Sequence, residues 1–313
     1  MELLPAIRFL HIGAVVLLAG EWAFRLLLVP AGRCAHCIDA PLRRAGGWAL
    51  VVALVTWPGW LAAVAIGMSG LPASQALGLD VLRTVTRQTT FGRIWLLRAG
   101  LLLALAALHL LASRPALRPR LAWLQAAGAA CALASIAATG HALGAHREHL
   151  AIDAIHVLAA GLWVGMLAPL WRTIDGAITT QQRDLGRLAT EATQRFAMPG
   201  AVAVVAIAIT GALNTWWQVG TAAALVSTTY GLLVLAKIGL FLLMLALALV
   251  NRFALAARLA SRPGADLALR RLRTTVLVEA GLGVLILGVV GVLGVMPPAA
   301  HGHAGHVMTS RWP

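Results

Sequence analysis

Long apolar runs separated by short polar stretches set the layout of this chain. Eight runs reach the roughly 20 residues needed to cross a bilayer as a helix. They lie near 5–29, 47–69, 91–112, 120–140, 149–171, 196–218, 229–253 and 275–296. The longest polar connections, 70–90, 172–195 and 254–274, have room for surface helices. No clear internal repeat or low-complexity tract stands out. The first run is too long for a cleavable signal and has no small-residue cleavage site, so it is expected to stay as a helix. The expected fold class is all-α, a polytopic bundle of about eight transmembrane helices. Residues 1–298 form the membrane domain and 299–313 a His-rich tail.

Composition agrees with this picture. The 313 residues are 60% hydrophobic and 12% charged, with a mean hydropathy of +0.85, outside the range of soluble domains. The net charge of +14 comes from 24 arginines and one lysine, which in a soluble protein would suggest nucleic acid. Here the arginines sit between the apolar runs, where the positive-inside rule accounts for them. Arg33, Arg43 and Arg44 follow run one, and Arg114, Arg118 and Arg120 follow run three. Arg172, Arg183 and Arg187 follow run five, and Arg258, Arg262, Arg270, Arg271 and Arg273 follow run seven. The alternate connections hold only Arg83, Arg87 and Arg147. Both termini are therefore expected in the periplasm, with Trp216, Trp217 and Tyr230 in the outer aromatic belt.

That orientation sorts the histidines. The segment 139–171 carries His149, Asp153 and His156 on one helical face, with His141 and His146 just upstream. Gly161 and Gly165 form a small-xxx-small pair that admits a neighbouring helix. His156 lies roughly 10 Å below the outer surface at 1.5 Å per residue, and His11 enters run one to a similar depth. Eight of the ten histidines fall on or near the outer face; His36 and His109 do not. An outer cluster of His11, His141, His149, Asp153 and His156 reads as a metal site with Asp153 orienting or neutralising. The bland alternative is a set of interfacial residues bonded to backbone and head groups, which suits His149 best.

Other groups are more ambiguous. His301, His303, His306 and Met308 combine imidazole with thioether, a donor set suited to copper, though a solvated tail explains them too. Met68 and Met296 could extend that site or simply pack. Cys34 and Cys37 form a C-x-x-C pair able to hold Cu(I) or exchange thiols, or are two unpaired loop cysteines. Cys131 is expected to be packing. Glu21, Arg98 and Lys237 lie inside apolar runs, and depth makes Glu21–Lys237 and Arg98–Asp153 plausible pairs. Asn214 and Asn251 could satisfy nearby polar groups. No nucleotide fingerprint or Ser/His/Asp arrangement is present, so ATP-driven pumping by this chain alone is not expected.

The ordered motifs T139-G-H-A-L, D153-A-I-H156, T90-F-G-R-I-W-L-L-R98, R195-F-A-M-P-G, G211-A-L-N214, T229-Y-G-L-L-V-L-A-K237 and N251-R252-F together resemble the copper resistance protein D (CopD) family. The likeness covers nearly the whole chain, with 188–297 similar to the copper resistance D domain. It implies a multi-pass protein of the bacterial inner membrane that handles copper. It also implies a partner like the periplasmic copper-binding protein C. The leading expectation is copper transport rather than enzymatic chemistry. Copper would pass from His301, His303, His306, Met308, His141 and His146 to His11, Asp153 and His156, and then to Cys34 and Cys37. The alternative is an electron-transfer protein, such as a copper reductase, with a b-type haem held by His11 and His156. A third reading is a copper sensor or docking protein that moves nothing.

Overall fold

The computed structural model describes residues 3–29, 35–139, 147–259 and 265–300, apart from the side chains of residues 35–37. Eight helices in it are long and apolar enough to cross a membrane. No strand occurs among the described residues. The spans are built on α1 (Leu3–Ala23, continued by a π-helical turn, Phe24–Leu28), α2 (Ala35–Ser69), α5 (Thr90–Leu111) and α6 (Arg118–Ala134). The second four are α7 (Arg147–Thr180), α8 (Arg183–Val219), α10 (Thr229–Val250) and α12 (Ala265–Leu293). Short helices α3 (Ala73–Ala76) and α4 (Leu79–Gln88) precede α5, α9 (Ala222–Ser227) precedes α10, and α11 (Ala256–Leu259) precedes α12. The end of the bundle at which α1 begins is called proximal below, and the other end distal.

Several polar stretches are helical rather than loops. The residues expected as connection 172–195 mostly continue α7 and α8, which break only at Gln181–Gln182. Such extensions satisfy backbone groups internally while placing Arg172, Arg183 and Arg187 beyond the apolar span. Pro41, Pro58, Pro169 and Pro199 all lie inside helices. Many large apolar side chains face outward, including Leu103, Val205, Leu242 and Phe253, because lipid is as good a solvent for them as protein. Cys131, expected to pack, is exposed on this surface.

The two sets of four spans repeat each other, although no repeat stood out in the sequence. Thr89-Thr90-Phe91-Gly92 leads into α5 as Thr228-Thr229-Tyr230-Gly231 leads into α10. In each elbow the first threonine accepts from the glycine N–H, at 2.9 and 3.0 Å. Its hydroxyl donates back to Val85 O or Ala224 O, at 2.6 Å in both. The glycine is required in both: a Cβ would come within 2.2 Å of Val85 O, or 2.4 Å of Ala224 O. This is the layout of a parallel duplication. Between these short motifs the two copies share few identical residues, which hides the duplication in the sequence.

α1 and α7 occupy equivalent places and pack together at the centre. Gly20 and Gly165 meet there; a Cβ on Gly20 would stand 2.0 Å from the carbonyl carbon of Gly165. The expected small-xxx-small pair therefore serves two neighbours. Gly165 admits α1, while Gly161 faces the Leu133 side chain of α6.

Candidate functional site

Among the described residues, each half carries one buried histidine near the proximal end, held in the same way. In the C-terminal half, His156 Nδ1 lies 2.9 Å from Thr210 Oγ1. The Thr210 hydroxyl donates to Ala206 O at 2.5 Å. Its one proton is thus engaged, its oxygen can only accept, and Nδ1 must carry the imidazole proton. Nε2 is left with a free lone pair, the form a metal binds. Asp153, one turn earlier, accepts from Asn214 Nδ2 at 3.0 Å. Lys237 on α10 lies within electrostatic reach of both His156 and Asp153. Tyr230, close to Asp153, donates to Gln218 at 2.5 Å.

The N-terminal half repeats this with altered chemistry. His11 Nδ1 lies 3.0 Å from Thr56 Oγ1, and that hydroxyl donates to Val52 O at 2.7 Å. His11 is fully buried, and its Nε2 has no partner among the described residues. Arg8 stands where the other half has Asp153, and Trp60 where it has Asn214. Arg98 takes the place of Lys237. The Arg8 and Arg98 guanidiniums lie 5.0 and 4.9 Å from the Trp60 ring centroid, and His11 meets that ring edge-on at 5.3 Å. A copper cation at His11 would face two buried guanidiniums with no carboxylate paired to them among the described residues. At His156 it would face Asp153.

The outer cluster is therefore divided between the halves. Each histidine stands nine positions before its glycine contact, His11 before Gly20 and His156 before Gly165. That is about two and a half helical turns. Both imidazoles consequently point away from the α1–α7 contact, to partners on α2 and α8 respectively. This geometry lends no support to one haem held between His11 and His156. Among the described residues, no three of His, Cys, Asp and Glu converge as a metal-holding group. His141, His146, His301, His303, His306, Met308 and Cys34 lie outside the described residues, as does the side chain of Cys37. His149 rests against Trp217 at 4.5 Å. Met68 is exposed, and Met296 packs beside Tyr230 and Val219.

Both pairings suggested by depth are replaced. Arg98 donates to Ser135 Oγ, Ser135 O and Thr139 Oγ1 at 2.9, 2.8 and 3.2 Å, in its own half and away from Asp153. Glu21 lies near the distal end of α1 and pairs with Arg25 at 3.0 Å. Lys237 has Asp153 and His156 as its electrostatic neighbours instead. Arg25 and Arg118 both bond Asp39. The sequence reading did not single out Arg8, Thr56, Trp60, Thr210 or Glu279. Setting His11 against His156, and the two Thr-Thr-aromatic-Gly elbows against each other, would have exposed the first four.

Comparison with known proteins fits this architecture. The family description "Copper resistance protein D" matches residues 190–293, and "Copper resistance protein D-like, N-terminal domain" matches residues 1–147. Copper resistance protein D of Pseudomonas syringae pv. tomato is 32% identical over 220 residues, 67% of this chain and 70% of that protein. Inner membrane protein YebZ of Escherichia coli (strain K12) is 28% identical over 303 residues, covering 94% of this chain and 97% of that protein. Copper transport protein CutJ of Bacillus subtilis (strain 168) is 30% identical over 187 residues, 54% of this chain but only 32% of that protein. No solved structure matches the chain. With matches along both halves and a relative of this identity and coverage, the chain belongs to the copper resistance protein D family.

Proposed function

We propose that this multi-pass membrane protein carries copper across the bacterial inner membrane, without enzymatic chemistry, and that His156 with Asp153 is its first intramembrane copper site. The observation that carries the reading is the fixed imidazole of His156. Thr210 commits its proton to Nδ1 and leaves Nε2 as a donor, with the Asp153 carboxylate on the same helical face. Lys237 supplies the compensating positive charge until copper arrives. The arginine-rich distal loops, read by the positive-inside rule, support a proximal end that faces the periplasm. A carrier like the periplasmic copper-binding protein C would deliver there, with His141, His146 and the 301–308 tail as transfer ligands. A bare ion in hydrocarbon is very unfavourable, so donors must continue inward. Met244, buried below Lys237 on α10, is one, and Cys34 with Cys37 would receive Cu(I) at the distal end.

Uptake of isotopic copper into proteoliposomes tests this. His156→Ala should reduce uptake at least tenfold while His149→Ala leaves it unchanged. Equal uptake by wild type and His156→Ala would defeat the assignment, and copper binding without uptake would make the protein a docking or sensing device.

A further inference from the structure

Glu279 of α12 is 1% exposed in the distal half of the bundle, and the copper route above does not use it. Its Oε1 accepts from Asn251 Nδ2. Asn251 is in turn fixed by Thr275 Oγ1, which donates to its Oδ1 at 2.5 Å. Asn251 opens a π-helical turn, Asn251–Leu255, and such turns are rare and gather at functional sites. No Lys or Arg pairs with Glu279 among the described residues.

Glu279 also lines a cavity of about 570 Å³ between α7, α8, α10 and α12. Most of the wall is apolar; Asn251, Arg252, Thr193 and Gln194 give it a polar portion. Trp163 reaches it too, and its buried Nε1–H has no partner among the described residues. Among the described residues, Arg252 is the only other charged residue of the lining. It donates to Ala197 O at 2.9 Å instead of pairing with Glu279. The facing α7 residues Trp163, Leu167 and Leu170 are neutral, and the nearest ion pair on α12, Arg273 with Asp175, is turned to another part of α7.

A buried carboxylate without a positive partner is strongly disfavoured. The group must either hold a proton or balance a cation that enters the cavity. We propose that Glu279 is a proton-exchanging site on the distal side of the copper route, releasing its proton as a Cu(I) cation enters the cavity and recovering it as the cation leaves. The coupling to copper rests on the transport reading above; the proton site does not. The step is charge-neutral: the O–H bond breaks, one proton leaves to water at the distal end, and one positive charge replaces it beside the carboxylate. Asn251 holds the carboxyl in either state, because its amide donor suits the acid's carbonyl oxygen as well as the carboxylate.

The test uses the full chain in two arms. Infrared spectroscopy of the wild type in lipid, without copper, should show a protonated carboxylic acid band that shifts in D2O, vanishes at high pH and is missing in Glu279→Gln. In proteoliposomes carrying a pH-sensitive dye, copper uptake should drive counter-movement of protons. Glu279→Gln should lose at least tenfold in both fluxes yet keep wild-type copper affinity at the His156 site. Absence of the band from the wild type, or an unchanged band in Glu279→Gln, overturns the proton site. Copper uptake without proton movement overturns the coupling. If Glu279→Gln does not fold, the wild-type band, its titration and the wild-type proton flux decide the matter. A wild type that shows the band but binds no copper would instead sink the transport reading alone.

Discussion

Gly20 and Gly165 occupy equivalent positions in the two halves and touch each other backbone to backbone. A Cβ on Gly165 would come within 2.3 Å of Val16 O and 2.8 Å of Gly20 Cα. Neither neighbour is a side chain that can move aside. Alanine at either position must push α1 from α7, which should cost about 1–3 kcal/mol by the usual overpacking range. Gly13 has nothing within 4 Å of an added Cβ. Thermal unfolding in detergent should therefore show a lower midpoint for Gly20→Ala and Gly165→Ala, and none for Gly13→Ala. Equal midpoints for all three would mean that the halves do not meet here.

The threonines set the tautomer of each histidine. Thr210→Val preserves shape and removes the acceptor for His156 Nδ1–H, leaving a buried donor unmatched at about 1–3 kcal/mol. The ring is then free to rotate or change tautomer. Supporting contacts of this kind are worth roughly 10–100-fold in metal affinity. Copper titration of Thr210→Val should show a loss in that range, and Thr210→Ser should restore it. Weakened binding in the serine variant as well would show that the methyl contact, not the hydroxyl, is what counts.

The charge reversal between the halves gives a sharper comparison. Arg8 and Arg98 crowd the His11 site, whereas Asp153 answers Lys237 at the His156 site. His156→Ala and Asp153→Asn should each abolish a copper-binding event. His11→Ala should leave the copper count unchanged and lower stability instead, since His11 is fully buried against Trp60 and Thr56. Equal loss of copper in the His11 and His156 variants would show that the halves act alike. Lys237→Met should tighten copper binding by removing the competing cation.

The spans were legible in the sequence because a bilayer imposes one length and one polarity on every crossing helix. His156, Asp153 and Asn214 were legible as well, because polar groups in an apolar run are conspicuous. The separation of His11 from His156 into two sites was not. Depth along a helix can be read from position, but which way a side chain turns depends on packing, and the Gly20–Gly165 contact decides it here. The partners proposed by depth failed for the same reason. Arg98 found carbonyl and hydroxyl acceptors on a neighbouring span, and Glu21 found Arg25 one turn along its own helix. Glu279 sits between Val278 and Ala280 in an apolar stretch and carries no motif; only the cavity beside it draws attention to it.

At the distal end, Asp39 joins two spans of the N-terminal half. It accepts from Arg25 at the end of α1 and from Arg118 at the start of α6. Arg118 is held further by Ala112 O at 2.9 Å, and Arg25 by Glu21. Asp39→Asn keeps the size but removes the charge, leaving two guanidiniums with one acidic partner between them. Breaking a fully buried pair costs about 3–5 kcal/mol, but these side chains retain 17–33% exposure. Solvent screening brings the expected loss to about 1–2 kcal/mol. Because Arg118 is the more exposed, Arg118→Gln should lose less than Asp39→Asn. Salt separates this account from a purely steric one. Raising ionic strength from 0.1 to 1 M shortens the Debye length from about 10 to 3 Å. The gap in unfolding midpoint between wild type and Asp39→Asn should then narrow. A gap that stays constant with salt would assign Asp39 to shape rather than charge.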